Sequence, residues 1–160
     1  MHHFFKTQNS IPLQNRKVIV ECLTKLLSDI IDLSLQFRQA HWNVKGKEFS
    51  QLHELFGEGY KSLADEADVI AERIAQLGSS VCGTKESVKE YSCLLPYNEK
   101  IYDGLEHVNA LSINCGKVGK NCREAIQTSI DNNDMASSDL VTKSAEVVDK
   151  LTWMLESHLF

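Results

Sequence analysis

Four side chains in this sequence have the types and spacing to hold a transition metal: His41, His53, Asp68 and Glu72. His41 continues the apolar series Ile30, Leu33 and Phe37 at helical spacing. Asp68 and Glu72 are four residues apart, so on a helix they share a face. Counted from His53, their directions lie about 60° and 100° round the axis. All three then occupy one flank of a single helix. Imidazole with carboxylate is a borderline-to-hard donor set, suited to iron and able to hold zinc or manganese. Two histidines with few carboxylates also leave coordination positions open, as redox chemistry at iron requires. Each residue has an ordinary alternative: a hydrogen-bonded core histidine for His41, a solvated charged face for the others.

Distance decides how such residues would meet. Asp68 follows His53 by fifteen residues, roughly 22 Å along a helix. One chain therefore cannot close both around the same ion. Two copies packed antiparallel across a two-fold axis can, with His41 and His53 of one facing Asp68 and Glu72 of the other. An isologous dimer makes two such sites.

These positions need long helices, and the apolar spacing supplies them. Ile19, Leu23, Leu26, Ile30, Leu33 and Phe37 mark a first helix over about 14–44, stopped near Gly46. Phe49, Leu52, Phe56, Leu63, Ala67, Ile70, Ile74 and Leu77 mark a second, closed by Gly78. Residues 79–100 break the pattern, with at most two helical turns around 86–92. Leu105, Val108, Leu111, Cys115, Val118, Cys122 and Ile126 mark a third long helix. After a polar break at Asn132-Asn133, Asp134 is the expected N-cap of a fourth carrying Val141, Ala145, Val148, Leu155 and Leu159. Short, long and short connections give a four-helix bundle with ferritin-like crossover topology, an all-α fold. The expected division is a flexible N-terminal arm, 1–13, and one bundle domain, 14–160.

Composition narrows the function classes. The chain has 160 residues, 42% hydrophobic and 24% charged, enough for one domain with a real core. Two prolines and eight glycines are too few for a many-stranded sandwich. The net charge of −5 argues against gripping nucleic acid through the body of the domain. No run of about 18 uncharged apolar residues suggests a membrane span. The first thirty residues show no secretory leader. Five cysteines, at 22, 82, 93, 115 and 122, then read as reduced thiols in a cytoplasmic protein. Cys115 and Cys122 share a helical face, as small buried residues or as a metal or redox pair. No Glu-x-x-His occurs, so a di-iron site inside the bundle is not expected.

The run QAHWNVKGKEFSQLHELF (39–56), followed by DEADVIAERIAQLG (65–78), resembles the Dps family of mini-ferritins. The likeness extends from about 18 to 159, through REAI and DKLTWMLES. It implies a homododecameric shell of four-helix subunits. It also implies a ferroxidase that binds Fe(II) between two subunits, oxidises it preferably with hydrogen peroxide and stores ferric mineral. His41 and His53 would be ligands from one subunit, Asp68 and Glu72 from its partner. Trp42 would stand beside the site as an electron donor, or as an interface aromatic. Acidic residues among Asp131, Asp134 and Asp139 would line an entry pore, or serve as ordinary loop and cap carboxylates.

One position departs from the family pattern. Four residues after the second histidine the family places an aspartate; this sequence has Gly57. Gly57 and Gly59 each cost about 1 kcal/mol in a helix interior. Together they would permit a local bulge or close helix packing. The competing function is therefore a shell-forming structural, nucleoid-associated or metal-buffering protein with an impaired oxidase site. The arm carries only Lys6, with Arg16 and Lys17 beyond it, so DNA binding is expected to be weak or absent.

Overall fold

The computed structural model describes residues 2–160. The elements are α1 (Leu13–Asn43), α2 (Phe49–Gln76), α3 (Lys85–Tyr91), α4 (Gly104–Asp131) and α5 (Met135–Glu156). The α1 and α2 helices pack along each other, as do α4 and α5; α1 also meets α4, and α2 meets α5. Three contacts fix the directions. Arg16, at the start of α1, donates to the Leu77 carbonyl just past α2 at 2.7 Å. Asn15 donates to the Asn132 carbonyl at the end of α4. Arg73, late in α2, pairs with Asp134 at the start of α5, at 2.7 Å. Hence α2 and α4 run parallel, joined by the long crossover 77–103. This is the four-helix bundle with crossover that the connection lengths imply.

Local chemistry closes α2 at Gly78 and caps the starts of α3, α4 and α5. Gly78 has φ +81°, and a Cβ there would lie 2.9 Å from Arg16 Nη1. Only glycine fits that left-handed turn. Thr84 caps α3 through the Ser87 N–H, and Asp103 caps α4 through Leu105 and Glu106. Asp134 caps α5 through the Ser137 N–H.

The crossover is tied down by buried polar groups of α1 and α4. Asp29, 1% exposed, accepts from the Cys93 N–H and from Asn121 Nδ2, both at 2.8 Å. Asp32 accepts from Ser92 Oγ, and Asn114 bonds both Gln36 and the Leu95 backbone. A fully buried carboxylate without such donors would cost several kcal/mol.

Most of the apolar stripes face one continuous core. Three residues read as stripe members do not: Phe49, Leu105 and Leu159 are exposed. The inward position at the start of α4 is taken instead by Gly104 and by His107, which is fully buried. Residues 2–12 run along the end of α2. The Phe5 N–H donates to the Gly78 carbonyl, the Ser80 N–H donates to the His3 carbonyl, and His2 reaches Ser80 and Thr24. No helix among the described residues is long and apolar enough to cross a membrane.

Candidate metal centre

The turn 44–48 brings the end of α1 against the start of α2. There the His41 and His53 rings stack, centroids 3.8 Å apart and planes 21° from parallel. Each Nδ1 donates across the gap to the other residue's main-chain carbonyl: His41 to His53 at 2.6 Å, His53 to His41 at 2.8 Å. A carbonyl only accepts, so both Nδ1 atoms carry protons, and in the neutral tautomer the lone pairs lie on the Nε2 atoms. Histidines that ligate metals are held in this way, the other ring nitrogen donating to a carbonyl. Phe49 stacks on the outer side of His53, at 5.2 Å. Both imidazoles are half-buried.

Gly57 sits one turn after His53, directly beneath His41. A Cβ at position 57 would lie 3.0 Å from His41 Cε1 and Nδ1. Of the two consequences expected from the glycines, α2 shows the second. It is unbroken α-helix, and a Cβ at Gly59 would lie 2.5 Å from Phe37. The glycines admit close packing rather than a bulge.

Asp68 and Glu72 project from the far end of α2 and are exposed. Within one subunit they do not join the histidines, and no group of three or more metal-ligating side chains converges among the described residues. The site within one chain is therefore a pair of oriented imidazoles, with the carboxylates on a separate surface, as the fifteen-residue separation requires.

Trp42 is 60% exposed beside His41. Arg38 lies over its ring at 4.8 Å and over the Tyr60 ring at 4.8 Å, and donates to the Tyr60 hydroxyl at 3.0 Å. Neither Arg38 nor Tyr60 stood out in the sequence; their spacing from Trp42 becomes meaningful only once α1 and α2 are paired.

The acidic residues at the α4–α5 junction separate. Asp131 and Asp139 are exposed, but Asp134 is 2% exposed and committed to Arg73 and Ser137. Asp134 is thus no free pore carboxylate, a correction to that expectation; as the cap of α5 its carboxylate turns inward. Cys115 and Cys122 are buried, and burial pushes both thiols up to about 12. They behave as small apolar residues.

The ferritin-like domain family matches residues 20–160. A DNA protection during starvation protein of Agrobacterium fabrum is 35% identical over 96% of this chain and 95% of its own length. The chain belongs to the Dps family. The namesake from Mycolicibacterium smegmatis is 31% identical over 96% of this chain and 85% of its own. The structure of Mycobacterium smegmatis Dps superposes with a TM-score of 0.90 at 29% identity, covering 97% of this chain and 94% of that one. A Dps structure from Vibrio cholerae O1, described as one of the ferritin-like diiron-carboxylate proteins, has a TM-score of 0.90 at 23% identity and supports the fold. It covers 99% of this chain and 100% of that one.

Proposed function

We propose that this Dps-family protein is a ferroxidase and iron store, oxidising Fe(II) with hydrogen peroxide at sites shared between two subunits of a dodecameric shell. The reciprocal lock of His41 and His53 carries the reading, because it leaves two Nε2 lone pairs pre-oriented on one subunit. Asp68 and Glu72 of the facing subunit complete the donor set, and zinc or manganese can occupy the same ligands. Two Fe(II) each give one electron to H2O2; with two protons the products are two Fe(III) and two waters. Peroxide is consumed in a two-electron step, so no hydroxyl radical is released. Trp42 stands beside this chemistry as an electron donor.

A second reading rests on Gly57. No carboxylate stands there, and the His41 ring fills the space a side chain would need. The site then holds one iron firmly and a second weakly, and the protein acts chiefly as a shell and metal buffer. Anaerobic Fe(II) titration followed by peroxide separates the two. Two irons per site and rapid ferric absorbance support the ferroxidase; one iron and slow absorbance support the buffer. Size-exclusion chromatography with light scattering tests the shell, and a monomer of 18.0 kDa would end both readings. DNA binding is weak: the arm is poor in cations and is docked on the 78–80 turn. A gel shift at physiological salt tests this.

A further inference from the structure

His107 is a fully buried histidine that the proposed metal chemistry leaves unused. Its Nδ1 is bonded to the Tyr97 hydroxyl at 2.5 Å, and its Nε2 has no hydrogen-bond partner. Its ring packs edge-to-face on Phe56, centroids 5.9 Å apart. A buried, half-satisfied imidazole is costly, so its position calls for a reason. The phenol ring of Tyr97 is half-buried and lines a cavity of about 420 Å³ together with Trp42, Arg38 and Gln39. One end of Tyr97 thus faces the surroundings of Trp42, while its proton faces the core.

We propose that Tyr97 and His107 form a one-electron reservoir behind Trp42, Tyr97 giving up the electron and His107 taking the proton. The inference rests on the ferroxidase reading and concerns a half-filled site: a single Fe(II) gives one electron to H2O2, leaving Fe(III), hydroxide and a hydroxyl radical beside Trp42. A hydroxyl radical takes one electron from the Trp42 indole and becomes hydroxide. Tyr97 returns an electron to the indole radical cation, and its phenolic proton passes to His107 Nδ1. The sum is phenol plus imidazole plus hydroxyl radical giving phenoxyl, imidazolium and hydroxide. A later Fe(II) restores the phenol by donating one electron as the proton returns.

The neighbours explain why the oxidised state settles there. Arg38 above Trp42 is attracted to the electron-rich ring and repelled once that ring loses an electron. The same cation lies over Tyr60 and donates to its hydroxyl oxygen, which opposes loss of an electron from that ring, and no side-chain base is bonded to the Tyr60 hydroxyl among the described residues. Tyr97 has one. Burial raises the Tyr97 pKa and keeps the phenol intact. Burial also lowers the His107 pKa, leaving a neutral acceptor, while Asp103 acts in the opposite sense and favours the imidazolium when it forms. Because His107 is closed off from water, the proton stays and the step reverses.

Pulse radiolysis of the iron-free assembled protein tests this without the ferroxidase reaction. Azide radical oxidises indole by one electron, and a Trp153→Phe background leaves Trp42 as the remaining tryptophan of two. The indole radical is expected to decay into a phenoxyl signal, more slowly in D2O. Tyr97→Phe abolishes the conversion, Tyr60→Phe leaves it intact, and His107→Gln slows it about a hundredfold, the scale of a lost proton acceptor. Conversion at the parental rate in Tyr97→Phe or His107→Gln, or an unchanged rate in D2O, overturns the inference. Tyr97→Phe removes one oxygen, and the D2O comparison needs no substitution, so a misfolded His107 variant leaves the test decisive.

Discussion

Gly57 and His41 are in contact across the α1–α2 seam: the imidazole rests where a side chain at 57 would begin, 3.0 Å from an added Cβ. The missing carboxylate and the placement of the first histidine are therefore one feature. Glycine lets His41 lie flat against α2 and reach the His53 carbonyl.

Gly57→Ala tests that dependence. Alanine recovers about 1 kcal/mol of helix propensity, and the crowding of His41 offsets it, so the denaturation midpoint stays nearly unchanged. Iron affinity falls, because the ring is pushed off its carbonyl and its Nε2 loses its aim. An anaerobic Fe(II) titration reads this; parental affinity would show that the ring steps aside at no cost.

Gly59→Ala is the contrasting case. A Cβ there lies 2.5 Å from Phe37 Cδ1 and Cε1 and 3.3 Å from Leu151 Cδ2, all in the core. Overpacking of this kind costs about 1–3 kcal/mol, more than the helix gain of about 1 kcal/mol. The urea midpoint should fall while iron affinity holds. A midpoint at or above the parental value would mean that Phe37 repacks freely.

The bundle and its crossover were legible in the sequence because apolar spacing, Gly78 and the Asp134 cap all act locally. The candidate metal centre was legible as residue types and spacing only. Asp68 and Glu72 declare themselves by a spacing of four, whereas the His41–His53 stack arises only when α1 and α2 pair. His107 escaped notice because a lone polar residue among Val108 and Leu111 breaks the apolar count; its partner Tyr97 lies ten residues away in the crossover. Asp134 was legible as a cap, but its pairing with Arg73 was not, since that contact spans 61 residues.

That Asp134 pairing sets the acid limb of stability. Burial raises the Asp134 pKa, but hydrogen bonds from Ser137 and Arg73 outweigh it and hold the carboxyl below its usual value. The folded pKa is depressed, so the stabilisation is complete above the unfolded value of about 3.9 and is lost as pH falls through the folded value. Asp134→Ala leaves Arg73 unpaired and removes the cap of α5, a loss of roughly 3–5 kcal/mol. Asp134→Asn keeps a cap oxygen and flattens the decline in stability below about pH 4. Urea titrations across pH measure both, and an unchanged acid limb in Asp134→Asn would remove Asp134 from its cause.

The proposed sharing of the site between subunits has a stoichiometric consequence. A His41→Ala/His53→Ala chain keeps both carboxylates, and an Asp68→Asn/Glu72→Gln chain keeps both histidines. Each assembled alone should form ferric product only at the rate of free Fe(II) with peroxide. Mixed in equal amounts, unfolded and reassembled, half of the two-fold dimers pair one chain of each kind. Such a dimer has one intact site and one lacking every ligand, so about a quarter of all sites return. Ferric absorbance after anaerobic Fe(II) loading and peroxide measures the fraction. If each subunit closed its own site, mixing would restore nothing, because neither chain alone carries a complete set.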